Sequence, residues 1–160
     1  MAGKQLNEKH MRLAISEARR NLVNMRGGPF GAVIVKGGRV LAVARNTVLK
    51  DDATAHAEMN AIRIASRKLK TFDLKGCHMY STCEPCPMCF AAIHWSRIGR
   101  VIFGARIGDA ARCGFNELHL GSREIKRLGK SRVGIVAGFL RGECRALFKE
   151  WGALPHKKFY

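Results

Sequence analysis

Cys77-His78-Met79-Tyr80-Ser81-Thr82-Cys83-Glu84-Pro85-Cys86-Pro87-Met88-Cys89 decides the architecture. Residues 77–82 are a β-prone run, and the prolines that follow close it and open a helix expected from about Pro87 to Trp95. A strand feeding a helix in this way is half of a βαβ unit, and its surroundings extend the pattern. Downstream, Arg100 to Ala105 is strand-like and a helix is expected near Ser122 to Leu128. Val133 to Leu140 is strand-like again, and a last helix carries Cys144, Leu147, Phe148 and Trp151. Upstream, Met11, Ile15, Ala18 and Leu22 recur at helical spacing from Asn7 until Gly27-Gly28 stops them. Gly31 to Val35 and Arg39 to Ala44, joined through Lys36-Gly37-Gly38, read as an antiparallel hairpin. Asp51 to Ala55 then leads into a helix with Ala57, Ala61, Ile62, Ala65 and Leu69 on one side. The alternation predicts an α/β chain, a three-layer α/β/α domain around a mixed, five-stranded sheet. Residues 1–160 form a single domain in this reading, ending in a short tail, 153–160.

The same stretch carries chemistry. His56, Cys86 and Cys89 supply one imidazole and two thiolates, three of the four positions of a tetrahedral zinc site, and leave the fourth for water. A helix N-terminus favours thiolate over thiol, and the three-residue spacing sets both sulfurs on one turn. Glu58, two residues from His56, is not needed as a ligand and is free to accept and return protons. Cys83-Glu84-Pro85-Cys86 is a second C-x-x-C, so a closed structural site of Cys83, Cys86, Cys89 and His56 is the alternative. Three cysteines on one short turn would strain its geometry, and Glu58 would have no task. Cys77, Cys113 and Cys144 read as small buried hydrophobes, and the other five histidines have no metal-ligand spacing.

A length of 160 residues with 47% hydrophobic composition supports a core without disulfides. Six cysteines and no signal-peptide pattern point to a reducing, cytoplasmic setting. No apolar run approaches the roughly 20 residues of a membrane span. The net charge of +17 fits either a nucleic-acid partner or a solvated basic surface.

His-x-Glu followed by Pro-Cys-x-x-Cys is the signature of zinc deaminases acting on nucleobases, and the chain resembles the cytidine deaminase-like superfamily from first helix to last. Residues 27–33, 54–58 and 83–89 most resemble bacterial small guanine deaminases, as do Trp95 and the tail Lys157-Lys158-Phe159-Tyr160. That resemblance implies one zinc ion per subunit on His56, Cys86 and Cys89, a proton-carrying Glu58, and conversion of guanine to xanthine with release of ammonia. It further implies a free nucleobase stacked on Phe30 and read by Asn46. Glu117 would be a second carboxylate beside the 2-amino group, with Ala57 and Trp95 at the substrate site. It also implies a homodimer, with Tyr160 reaching a neighbouring subunit's site. Residues 96–106 instead resemble tRNA adenosine deaminases, which would make tRNA the partner. Gly28-Pro29-Phe30 and Pro87 depart from that pattern. A cytosine deaminase and an idle RNA-binding subunit are further readings, the last opposed by the intact Glu58.

Overall fold

The computed structural model describes residues 6–160, so the first five residues of the expected domain lie outside the description. Five strands form one sheet in the order β2-β1-β3-β4-β5. β1 (Gly31–Lys36) and β2 (Arg39–Arg45) are the antiparallel hairpin, and β1 also pairs antiparallel with β3 (Cys77–Cys83). β4 (Arg100–Ala105) and β5 (Gly134–Ala137) continue parallel to β3, which makes the sheet mixed as expected. Gly37 and Gly38 take φ of +56° and +84°, the left-handed pair that a two-residue hairpin turn demands.

Strand alternation sorts the core into two clusters. Val33, Val35, Tyr80 and Ile102 face α1 (Glu8–Arg19) and α7 (Arg141–Gly152) through Met11, Ile15, Leu147 and Trp151. Ile34, Cys77, Met79 and Val101 face α3 (Ala57–Leu69) and α4 (Pro87–Trp95) through Ala57, Ala61, Ala65, Phe90 and Ile93. This is the three-layer α/β/α arrangement. Cys77 and Cys144 are buried in these clusters, while Cys113 is only half-buried.

Three local expectations are corrected. The first helix ends at Arg19, and Leu22 belongs to a separate short turn, α2 (Asn21–Asn24). The last strand is four residues rather than eight, because Gly138 turns with φ +79° and Leu140 already caps α7. The helix α5 (Ile107–Cys113), which precedes α6 (Ser122–Leu128), was not anticipated. It is held by a long-range device: the buried Asp109 carboxylate accepts the Arg106 N–H at 2.9 Å and pairs with Arg112, Arg141 and Arg145.

Candidate active site

Two helix N-termini meet where β3 ends. His56 is the N-cap of α3 and Cys86 the N-cap of α4, both in extended backbone, and neither side chain caps its helix by a hydrogen bond. Both are therefore free to face each other. Pro87 at the first helical position fixes the entry into α4 without wasting an N–H. Cys86 thus sits one position before the helix proper, and Cys89 returns to it after a single turn.

His56 Nδ1 lies 3.6 Å from Cys86 Sγ and 3.5 Å from Cys89 Sγ. A tetrahedron with zinc–sulfur near 2.3 Å and zinc–nitrogen near 2.05 Å has a nitrogen–sulfur edge of about 3.6 Å, so the donor set fits that ion without rearrangement. All three donor atoms lie within 4.8 Å of one another, the one such metal-ligand group among the described residues. Cys83 is not in that group. It ends β3 in the core, where burial pushes its thiol well above the ordinary range, so the four-ligand structural site is not assembled.

The thiols divide their roles. Cys86 is pulled down to about 4, first by the hydrogen bond from Cys89 against the opposing effect of burial, with His56 adding to the fall. Cys89, the donor of that bond, is pushed up by it and by burial. Burial alone would lower His56, but its bond with Cys86 and the charge of Glu58 outweigh it and raise the imidazole.

Glu58 stands in the first turn of α3, buried, with Oε1 accepting the Ser81 hydroxyl at 2.8 Å and Oε2 at 3.5 Å from Cys89 Sγ. Burial raises its pKa above the ordinary carboxylate range, so the carboxyl is poised to hold a proton. Glu117 shares the cavity and is raised to about 7, first by burial and then by Cys86.

The cavity in front of these groups holds about 280 Å³. Phe30 forms one wall, edge-on to Phe115 at 5.0 Å. Asn46 forms another, its Oδ1 accepting from the Val48 N–H at 3.0 Å and the Tyr160 hydroxyl at 2.7 Å. With that oxygen doubly engaged, the amide presents Nδ2 as its remaining polar group. Gly27 and Gly28 allow this packing: a Cβ on Gly27 would meet Asn46 Oδ1 at 2.2 Å, and one on Gly28 would meet the Phe30 and Phe115 rings at 2.7 and 2.9 Å.

Tyr160 folds onto the cavity of its own chain. Its hydroxyl accepts the Gly28 N–H at 2.6 Å, its carbonyl accepts the Asn116 N–H at 3.0 Å, and its ring packs on Phe115. Burial raises the phenol to about 12, so it stays a hydroxyl. The two remaining expected residues are not brought to the cavity wall. Ala57 is buried in the core as the first residue of α3, and Trp95 stands 73% exposed at the far end of α4, against His94.

Sequence reasoning passed over Glu84. One of its carboxylate oxygens accepts the Ser122 N–H at 2.9 Å and the other the Ile107 N–H at 3.4 Å. It therefore ties the starts of α5 and α6 together, on either side of the loop that carries Asn116 and Glu117. Its place inside the cysteine motif was the available signal; its partners, far along the chain, were not.

Comparison with known proteins agrees with this geometry. The family described as "Cytidine and deoxycytidylate deaminase zinc-binding region" matches residues 4–105. The chain is 41% identical over 135 residues to guanine deaminase of Bacillus subtilis strain 168, covering 84% of this chain and 86% of that protein. It is 46% identical over 99 residues to tRNA-specific adenosine deaminase of Aquifex aeolicus, covering 61% and 65% respectively. In structure it is similar to guanine deaminase from Nitrosomonas europaea, with a TM-score of 0.85 at 30% identity, over 93% of this chain and 86% of that one.

Proposed function

The chain belongs to the cytidine and deoxycytidylate deaminase zinc-binding family, and from that premise we propose that it hydrolyses free guanine to xanthine and ammonia. The observation that carries the substrate choice is the base-sized cavity lined by the carboxylates of Glu58, Glu84 and Glu117, the second of them engaged by two backbone amides, under the chain's own C-terminal tail. A volume of about 280 Å³ lies just below the range of drug-sized ligand pockets, roughly 300–1,000 Å³. The 41% identity to a guanine deaminase over 84% of this chain supports the same choice.

His56, Cys86 and Cys89 would hold the zinc ion, which would supply the Lewis acidity that makes water nucleophilic near neutral pH. Phe30 orients the purine by its face, and Asn46 donates from Nδ2 to an acceptor on the ring edge. Glu58 takes one proton from the attacking water and passes it to the ring nitrogen beside C2, then takes the remaining proton of the new C2 hydroxyl and delivers it to the departing exocyclic amino group. Water adds at C2, the C2–N bond breaks, and xanthine and ammonia account for every atom. Ser81 keeps the carboxylate aimed during both transfers. Glu117 lies across the cavity as a partner for the 2-amino side, and its environment lets it give or accept a proton near neutrality.

The same reading makes the protein a cytosolic homodimer of one-domain subunits. All six cysteines are free, and no helix among the described residues is long and apolar enough to cross a membrane. α4 is apolar nearly all round yet leaves Trp95 exposed, as a helix awaiting a second copy would. Sedimentation velocity tests the dimer. An ammonia assay with the zinc-loaded protein tests the substrate, with guanine and an anticodon stem-loop RNA as paired substrates and adenine and cytosine as controls. Turnover of guanine is expected; turnover of the RNA alone would replace this reading with tRNA deamination.

A further inference from the structure

We propose that the end of the molecule opposite the catalytic cavity binds single-stranded nucleic acid through its phosphate backbone. A groove of about 620 Å³ opens there, walled by Lys75, His94, Arg97, Lys130 and Arg132 and floored by Ile98, Gly99 and Val133. No carboxylate lines it. Gly99 and Val133 precede β4 and β5, whereas the catalytic cavity lies beyond the end of β3. Strands of six or seven residues separate the two sites by about 20 Å.

The charge is concentrated here. Lys75, Arg97, Lys130 and Arg132 line the groove and Lys126 donates to the Val133 carbonyl on its floor at 2.7 Å, against two acids in the flanking sequence, Asp73 and Glu124. Both acids are already paired, Asp73 with Arg97 at 2.7 Å and Glu124 with Arg127. Arg97 and Lys130 occupy left-handed backbone at φ +59° and +51°, where glycine would be less strained. Favourable interaction with the ends of α4 and α6 accounts for part of their placement. It does not account for Lys75 and Arg132, which belong to no helix end. Like charges crowded around a concavity repel one another, and a polyanion that threads it relieves the repulsion while releasing its counterions.

The shape selects among polyanions. A lipid surface meets convex faces, whereas these cations line an inward-curving groove. Phe72 is 66% exposed and lies under the Arg97 guanidinium, 5.3 Å from ring centroid to carbon. An exposed ring with a cation above it, beside a basic track, is the arrangement on which single-stranded bases stack.

The test is fluorescence anisotropy of a labelled oligouridylate of about twelve nucleotides, titrated with the zinc-loaded protein at several salt concentrations. Engagement of about four phosphates gives a slope of log affinity on log salt near −3. The double variant Lys130→Glu/Arg132→Glu should bind at least about tenfold more weakly and flatten the slope by about 1.4, with guanine turnover unchanged. Lys50→Glu/Lys149→Glu, the same charge change on exposed residues away from the groove, should stay within about threefold of the unaltered protein. The proposal is overturned if the RNA fails to bind at low salt, if both variants weaken it equally, or if guanine displaces it. Binding to phosphatidylserine vesicles in place of the RNA would overturn it as well.

Discussion

Replacing Glu84 by alanine should destabilise the protein and loosen its substrate site together, because one carboxylate serves two helix starts. The bond from the Ser122 N–H, at 2.9 Å, is short and charge-assisted, and it satisfies the first N–H of α6. Bonds to charged acceptors contribute about 1.5–3 kcal/mol each. The bond from Ile107, at 3.4 Å, is long, and half-burial lets water replace part of it, so it adds about 0.5 kcal/mol. The total is about 2–3.5 kcal/mol, a fall in Tm of roughly 4–14 °C for a domain of this size. Glu84→Gln keeps one acceptor but presents an NH2 to the second amide, and should lose about half as much. Urea denaturation of the zinc-loaded variants measures the stability, and steady-state kinetics with guanine measures the loop. The KM should rise more than kcat falls, since Glu84 lines the cavity and its carboxylate bonds the Ile107 and Ser122 amides rather than Glu58 or the metal-binding residues. Unchanged Tm and KM in the alanine variant would refute the argument that this contact holds residues 114–121 in place.

Glu58→Gln should keep stoichiometric zinc and an unaltered melting curve while losing about 10²–10⁴-fold in turnover; near-normal activity would remove Glu58 from the mechanism. Cys86→Ala should lose the metal by elemental analysis, whereas Cys83→Ala should retain it, since Cys83 stands outside the ligand cluster. Glu117 offers a pH test in the chelated protein. Its folded value, about 7, lies above the ordinary 4.5, so ionisation opposes folding and its cost grows as pH rises from about 4.5 to 7. Glu117→Gln should therefore be neutral for stability at pH 4 and stabilising at pH 8, by about 1–2 kcal/mol after solvent screening. Equal effects at both pH values would contradict that sign.

Much of this was legible in the sequence because the signals were local. A β-prone run ending in two prolines announced β3 and α4, and His56, Cys86 and Cys89 lie at the two helix starts where ligand spacing placed them. What escaped was long-range. α5 contains Gly108 and has no apolar period, and it exists because Asp109 gathers Arg112, Arg141 and Arg145 around it. Glu84 sits inside the motif, but its partners lie 23 and 38 residues away. Tyr160, expected at a neighbouring subunit's site, orders Gly28 and Asn46 of its own chain in the single subunit described, and the Asn46 contact spans 114 residues of sequence. Trp95, expected beside the substrate, stands at the other end of α4 from the cavity of its own chain.

The most direct measurement of the central claim is the product formed from free guanine by the zinc-loaded protein in water labelled with heavy oxygen. The account predicts xanthine carrying one solvent-derived oxygen at C2, with one ammonia released for each guanine consumed. Unconsumed guanine, alongside inosine formed from an adenosine in an anticodon stem-loop, would contradict it.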